Sequence, residues 1–224
     1  MMMNLFSIFD PSTSLNYSMN WISSIFILLF IPNLYWFIPS RWSMMYLCLI
    51  YYLINELKIL INKNLNKFNL LIFMSFFLFI MLNNFLGLFS YIFTSTSHLN
   101  LTLSYSLMLW ISFMLFGWIK NTNHMFIHLV PQGTPGLLMP FMVLIESVSN
   151  IIRPGTLAVR LSANMIAGHL LMTLISSTGP LLNFNYLILM VLSQSMLIIL
   201  ELSVAFIQAY VFTILSMLYM IETN

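Results

Sequence analysis

The chain has 224 residues, of which 61% are hydrophobic and only 5% are charged, and its formal net charge is +2. Soluble domains are about 45–50% apolar, so this composition excludes an ordinary soluble protein, and the small net charge gives no sign of a nucleic-acid-binding surface. The single cysteine, Cys48, excludes a disulfide framework. Several apolar runs reach about 20 residues, the length of a membrane-spanning helix. The sequence therefore predicts an all-α polytopic membrane protein with a single membrane domain over residues 1–224.

The first predicted span covers residues 20–37, with Trp21 and Trp36 at positions typical of interfacial aromatic residues. The next segment, residues 41–67, differs because charged side chains interrupt an apolar sequence. These charged residues are Arg41, Glu56, Lys58, Lys63 and Lys67. We interpret this segment as one amphipathic helix on a membrane surface, with its charged face in water.

A second and a third span are predicted at residues 70–93 and 99–119, which a short uncharged turn joins into a hairpin. The polar connector after them, residues 120–136, contains His124 and His128. Their i, i+4 spacing is compatible with a metal site, but the glutamate of the HExxH motif is missing. We therefore interpret the connector as a solvated loop without a metal.

Two later apolar segments, residues 137–176 and 186–221, are too long to be upright spans. A helix of about 40 residues measures ~60 Å, twice the ~30 Å thickness of a hydrocarbon core. The first segment is either two helices broken near Pro154 or one long and strongly tilted helix. Because a tight turn joins two overlong neighbours, we predict a steeply tilted hairpin. The total is then about five membrane helices plus one amphipathic surface helix.

The distribution of basic residues predicts the orientation of the chain. Residues 41–67 and Lys120 fall on one side if the spans alternate, whereas the opposite loops, residues 94–98 and 176–185, contain no lysine or arginine. By the positive-inside rule, the basic side faces the matrix or the cytoplasm. The N-terminus is then outside and the C-terminus inside.

Five ionisable residues lie within the last two segments: Glu146, Arg153, Arg160, His169 and Glu201. Arg160 is the most informative, because arginine stays charged in proteins and costs roughly 2.5–3.5 kcal/mol at the centre of a membrane helix. The spacing of seven places Glu146, Arg153 and Arg160 on nearly one helical face. His169 follows Arg160 by nine residues and is therefore expected on the opposite side.

Two interpretations of these residues remain open from spacing alone. Polar side chains can hold membrane helices together, so Glu201 could form a static salt bridge with Arg160 or Arg153 in a structural subunit. Intramembrane charges instead favour a functional site by default, including the further alternative of a self-contained proton or cation channel. The sequence shows no nucleophile with a base, no phosphate-binding loop and no cofactor fingerprint. We therefore expect neither catalytic residues nor a cofactor.

Four separated segments closely resemble subunit a of F-type ATP synthases in its mitochondrial form, nearest to insect versions. They are residues 84–91 (NFLGLFSY), 128–134 (HLVPQGT), 154–170 (PGTLAVRLSANMIAGHL) and 208–212 (QAYVF). They follow the order of the family, and the resemblance extends over nearly the whole chain. The 19 methionines and 20 phenylalanines agree with an AT-rich organelle genome.

The resemblance implies a role for each charged residue of the last helices. Arg160 matches the essential arginine that faces the rotor ring and separates two proton half-channels. His169 and Glu201 match the polar pair of the entrance half-channel from the intermembrane space, with the acid and the histidine exchanged relative to bacterial members. Glu146 matches an acidic residue of the matrix-side exit. Arg153 has no counterpart whose role can be transferred.

The resemblance also implies the partners and the location of the chain. It is expected to be a non-catalytic stator subunit in the mitochondrial inner membrane, with its N-terminus in the intermembrane space and its C-terminus in the matrix. The expected partners are a rotor ring of small hairpin subunits that carry a membrane carboxylate, other stator and peripheral-stalk subunits, lipid and protons, but no nucleic acid. Asn164 and Gln208 match polar neighbours of the essential arginine.

Overall fold

The computed structural model describes residues 5–14, 17–33, 35–60, 67–89, 91–130, 135–181 and 183–223. Over these residues the chain forms six α-helices: α1 Arg41–Leu60, α2 Lys67–Gly87, α3 Leu99–Lys120, α4 Thr122–His128, α5 Met139–Thr178 and α6 Phe184–Thr223. All of them except α4 are long and apolar enough to cross a membrane. This architecture confirms the predicted all-α polytopic class.

The N-terminal part differs from the predicted segmentation. Where one span was predicted at residues 20–37, the chain forms two short 3₁₀ helices, Met19–Ser24 and Phe26–Phe30. The second ends where Ile31 adopts an extended backbone conformation (φ −79°, ψ 114°). The cause is Pro32, because the residue before a proline is disfavoured in the α region and proline itself donates no backbone hydrogen bond.

The segment predicted as a surface helix begins with α1, a helix of 20 residues that is apolar enough to cross a membrane. Within α1 only Arg41, Glu56 and Lys58 are charged. Lys63 and the side chain of Lys67 lie outside the described part of the structure. The charge that suggested a surface helix thus belongs mostly to the two ends of α1 and to the connection after it.

α5 and α6 are 40 residues long each and follow one another as the predicted long hairpin. α5 continues through Pro154 without a break, which decides between the two predicted alternatives in favour of one helix. Proline removes one backbone donor, so the carbonyl of Asn150 loses its usual partner. In the next turn, the Thr156 hydroxyl donates a hydrogen bond to the Arg153 carbonyl at 2.9 Å, and such side-chain contacts help a helix to tolerate proline in a membrane.

The core lies where α2, α3, α5 and α6 meet. α2 packs mainly on α6, and α3 packs mainly on α5. The side chains buried there include Phe73, Phe77, Ile80, Leu109, Leu157, Leu161, Phe212 and Met217. In contrast, the first half of α6 projects apolar side chains outward, with Phe184 76% and Ile199 64% exposed. An apolar surface of this kind is suited to lipid or to neighbouring subunits.

The bundle has two distinct ends. One end, called here the turn end, holds the connection Thr94–His98 between α2 and α3 and the connection between α5 and α6. The other, called here the C-terminal end, holds the end of α3 and the last turn of α6. There, an added Cβ at Gly117 would lie 3.4 Å from Thr223 Cβ.

Candidate functional site

Arg160 lies on an exposed face of α5. Among the described residues it makes neither a hydrogen bond nor an ion pair, and the ion pairs of the bundle involve Arg153 instead. A guanidinium at membrane depth without a counter-charge is costly. In a membrane, solvation by water or an anionic group of another molecule would lower this cost.

Arg160 borders a shallow groove between α5 and α6. The groove is lined by Leu157, Arg160 and Leu161 of α5 and by Gln208, Val211 and Phe212 of α6. The structure thus brings Gln208, which the sequence suggested as a polar neighbour, to the same groove as Arg160. Asn164 lies one turn further along α5 and is also exposed. Arg160, Asn164 and Gln208 thus lie near one another on the outer side of the α5–α6 pair.

His169 and Glu201 lie inside the bundle, with only 9% and 8% of their surfaces exposed. The opposite orientation of His169 and Arg160 on α5 agrees with their nine-residue spacing. The Glu201 side chain packs directly on the backbone of Gly168, because an ideal Cβ placed at Gly168 would lie 1.9 Å from Glu201 Oε1. Gly168 is therefore the residue that lets Glu201 approach α5 beside His169.

Three polar atoms of this pair have no hydrogen-bond partner among the described residues. Both Glu201 carboxyl oxygens and His169 Nε2 are buried and unpartnered. The ring of Phe9 meets the His169 ring edge to face, with 6.4 Å between centroids, so the N-terminal segment covers part of this region. Buried polar atoms in native proteins are almost always satisfied by protein groups or by water, and here the protein groups are missing. Water or a group of another molecule is therefore needed to satisfy these atoms.

Arg153 lies between two carboxylates at the C-terminal end. Its guanidinium is 3.5 Å from Oε1 of Glu146, which lies about two helical turns earlier in α5. The guanidinium is also ion-paired and hydrogen-bonded to Glu222 near the end of α6. The guanidinium also lies over the Tyr219 ring, 5.2 Å from its centroid. The acid that the sequence suggested as an exit residue, Glu146, is therefore held by an arginine that it shares with a second acid.

A cavity of about 50 Å³ adjoins this cluster at the C-terminal end. Its polar lining comes from His128, Asn150, Arg153, Glu222 and Thr223, and its apolar lining includes Trp110 and Trp118. This volume is large enough for one or two waters, each of which needs polar partners. The end of the bundle that carries Glu146 is therefore polar and accessible, unlike the middle of α6.

Comparison with known proteins decides the family. The model of the ATP synthase A chain family matches residues 2–221. Over their full lengths, the chain is 56% identical to ATP synthase subunit a of Drosophila melanogaster, with 224 residues aligned. It is 59% identical to that of Locusta migratoria over 99% of both chains and 58% identical to that of Aedes aegypti over both whole chains. The chain belongs to the ATP synthase A chain family.

In this member of the ATP synthase A chain family, the sequence did not predict that Glu222 pairs with Arg153. Glu222 is 69 residues away from its partner Arg153, so no helical spacing connects them. The available signal was a lone acid in the last turn of an apolar helix, which requires a partner if it lies near the membrane. The contact of Gly168 with Glu201 was missed for the same reason.

The two connector histidines lie on α4, and one of them reaches the cavity beside Arg153. His124 and His128 have ring centroids 5.9 Å apart on α4, and His128 lines the cavity at the C-terminal end. In the described part of this A chain, no group of three or more histidine, cysteine or acidic side chains is arranged to hold a metal ion.

Proposed function

We propose that this chain is the stator subunit of the membrane sector of a mitochondrial ATP synthase, in which proton flow past Arg160 drives a rotor ring. The single observation that carries the proposal is that Arg160 lies unpaired on an exposed, mostly apolar face. A permanent charge in such a place is intelligible if a mobile carboxylate of another molecule comes to face it. The small hairpin subunits of a rotor ring would bring such a carboxylate.

The physical basis is the cost of charge in lipid. A rotor carboxylate must be protonated while it faces the bilayer, because a bare charge there is expensive. Beside Arg160 its ionised form gains a positive partner, so it releases its proton there. The fixed charge of Arg160 also repels protons and separates the entrance from the exit. Each elementary charge that crosses 100 mV releases about 2.3 kcal/mol, so several crossings are needed for one ATP.

In this proposal, His169 and Glu201 form the entrance half-channel and Glu146 serves the exit. The unpartnered carboxyl oxygens of Glu201 support the first assignment, because no protein group of the described residues competes with water or a rotor group for them. Glu146 Oε1 lies 3.5 Å from the Arg153 guanidinium, so the proposed exit acid stands beside a fixed positive charge. Asn164 would be a polar neighbour of the site.

The orientation follows from the basic residues. Lys58, Lys120 and Arg153 belong to the C-terminal end, whereas the described residues of the α2–α3 and α5–α6 connections at the turn end contain no lysine or arginine. By the positive-inside rule we place the C-terminal end in the matrix and the turn end toward the intermembrane space. The entrance pair then opens outward and Glu146 opens inward. Other stator and peripheral-stalk subunits would cover part of the remaining apolar surface.

The alternative, a structural subunit of a respiratory complex held by polar contacts, is less well supported. It required Glu201 to pair with Arg160 or Arg153, and among the described residues Glu201 pairs with neither. The family match is to ATP synthase. A self-contained channel would need conduction without a rotor, whereas the exposed position of Arg160 favours a partner at that surface.

The test is proton pumping driven by ATP in sealed vesicles, for the parent complex and for Arg160→Ala, with assembly checked on the same samples. Loss of pumping in a fully assembled complex is expected. Coupled pumping that persists in Arg160→Ala would overturn the proposal, and loss of the subunit from the complex would return Arg160 to a structural role.

A further inference from the structure

A short 3₁₀ helix at the start of the chain, Leu5–Phe9, lies on the bundle against α5. The helix is peripheral, and the Phe6 side chain is 68% exposed. Its last residue, Phe9, is partly buried, and the Phe9 ring meets the His169 ring at 76° with 6.4 Å between centroids. One aromatic side chain of a peripheral segment thus reaches the buried histidine of the proposed entrance pair.

The residue after Phe9 begins a turn that hydrogen bonds hold in place. The backbone N–H of Ser12 donates to Asp10 Oδ1 at 3.0 Å, as is usual in turns built by aspartate. The side-chain amide of Asn20 donates to the Asp10 carbonyl at 3.2 Å, and Asn20 belongs to the next 3₁₀ helix, Met19–Ser24. The position of Phe9 is therefore tied to that second 3₁₀ helix.

The second 3₁₀ helix is itself attached to the turn end of the bundle. The Trp21 ring contacts the rings of Phe93 and His98, with centroids 5.6 and 5.3 Å away. The Ser23 hydroxyl donates to the Phe93 carbonyl at 3.0 Å. The chain before α1 thus forms a strap, named here the N-terminal strap (residues 5–14 and 17–24). One end of the strap is anchored at the turn end, and the other end carries the aromatic ring that lies on α5.

The orientation of the His169 ring depends on few contacts. A histidine ring is commonly oriented by the hydrogen bonds of its nitrogens, but Nε2 of His169 has no partner among the described residues. A perpendicular aromatic contact can orient a ring instead, because the positive edge of one ring is attracted to the negative face of the other. Glu201 packs on Gly168, directly beside His169. Rotation of the imidazole would therefore change where its nitrogens point relative to the carboxyl group.

We propose that Phe9 is a positioning residue of the entrance pair, whose ring the N-terminal strap holds against His169 so that the imidazole keeps one orientation beside Glu201. The proposal rests on the proposed function of that pair. Leucine at position 9 would supply apolar bulk but no ring, and it would leave the imidazole free to turn. Phe6 belongs to the same 3₁₀ helix but is mostly exposed, so its replacement is the matched control.

The contact can be tested without measuring transport, with His169 itself as the probe. Diethyl pyrocarbonate carbethoxylates neutral imidazole rings that it can reach, and mass spectrometry of peptides from the assembled complex measures the modification of each histidine. The rates in vesicles are compared for the parent, Phe9→Ala and Phe6→Ala. His98 is the internal control, because its ring packs on Trp21.

Phe9→Ala is expected to raise the rate of His169 modification about fivefold, because the imidazole loses its aromatic cover. The rate at His98 should not change, and Phe6→Ala should change neither rate. An equal rate at His169 in the parent and in Phe9→Ala would overturn the proposal. Phe9→Val provides a second truncation if Phe9→Ala does not assemble, and the same criterion applies to it.

Transport measurements then separate positioning from simple packing. Phe9→Leu should slow ATP synthesis driven by an imposed proton gradient about fivefold, whereas Phe9→Tyr, which keeps a ring, should stay within about twofold of the parent. Phe6→Leu should match the parent. A parent-like rate in Phe9→Leu, or an equal loss with leucine and tyrosine, would overturn the positioning role.

The same assay distinguishes this proposal from the proposed function. If Glu201→Gln slows transport but Phe9→Leu does not, the role of Phe9 is wrong and the entrance pair stands. If Glu201→Gln leaves transport unchanged, the entrance pair is overturned and the role of Phe9 falls with it, whatever the reactivity of His169.

Discussion

Replacement of Gly168 by alanine tests whether the position of the Glu201 carboxyl group matters for proton transfer. The new methyl group would lie 1.9 Å from Oε1, 2.7 Å from Cδ and 2.9 Å from Cγ of Glu201. Cβ atoms in proteins essentially never make a non-bonded contact shorter than 3.0 Å, so Oε1 must move away by more than 1 Å. The clash is with the end of a flexible side chain, so the helices need not separate.

The expected result is a large functional effect with a small structural one. A shift of about 1 Å in a reacting group can cost about 100-fold in rate, so we expect ATP synthesis driven by a proton gradient to fall by about 10- to 100-fold. The replacement of glycine by alanine also stabilises the helix by at most about 1 kcal/mol, so the subunit should remain assembled. The assay is ATP synthesis in sealed vesicles with the amount of assembled complex measured by native electrophoresis. Gly136→Ala, whose Cβ would meet nothing within 4 Å, is the control and should be silent.

A compensating variant makes the reasoning sharper. Aspartate is shorter than glutamate by one methylene, so Glu201→Asp withdraws the carboxyl group from α5 by about the distance that the alanine requires. The double variant should therefore be more active than Gly168→Ala alone. Full activity of Gly168→Ala would refute the importance of the carboxyl position, and a double variant that is no better would refute the steric explanation.

Three further predictions concern Arg160, the Arg153 ion pairs and Gln208. Arg160→Lys should lose coupled pumping or leak protons at high pH, because a buried lysine can deprotonate and an arginine cannot; unchanged coupling measured with a pH-sensitive dye would speak for a simple point charge. Arg153→Leu should lower the free energy of dissociation of the subunit from the complex by about 1–3 kcal/mol, measured by thermal dissociation, since Glu146 and Glu222 would then lie near each other without a cation. Glu222→Gln removes one partly exposed carboxylate and should cost less than about 1 kcal/mol in the same dissociation measurement. Gln208→Leu should slow pumping several-fold without loss of assembly, because it removes the polar neighbour from the groove of Arg160; a loss of assembly would instead make Gln208 a packing residue.

The long apolar helices could be predicted from the sequence because their apolar runs exceed the thickness of a bilayer. α3 and α5 begin and end within about two residues of the predicted segments. The N-terminal region could not be predicted in the same way. Residues 20–37 are as apolar as a span, and hydropathy does not reveal that the backbone there forms 3₁₀ helices and turns at Pro32.

The candidate site was predictable in part, for reasons that differ from residue to residue. The positions of Arg160 and His169 on opposite sides of α5 follow from a spacing of nine, which is set by helix geometry alone. The pairing of Arg153 with Glu222 and the contact of Gly168 with Glu201 depend on how α5 and α6 pack, which no local pattern encodes. A short uncharged turn of serine and threonine is typical of a surface loop, so the burial of residues 94–97 was not foreseeable.

In the proposed function, α5 serves both halves of a proton path, and its geometry keeps the two halves apart. At 1.5 Å per residue, Glu146 precedes Arg160 by ~21 Å along the axis and lies on nearly the same face, whereas His169 follows Arg160 by ~13.5 Å and lies on the opposite face. A proton on the entrance pair is therefore separated from Glu146 by ~34 Å of helix and by the fixed charge of Arg160. Rearrangement of side chains cannot bridge that distance, which in the proposed function calls for a carrier group that moves as a whole. A rotor carboxylate that passes Arg160 would be a group of this kind, and it would be loaded and unloaded at different heights along the 40-residue helix α5.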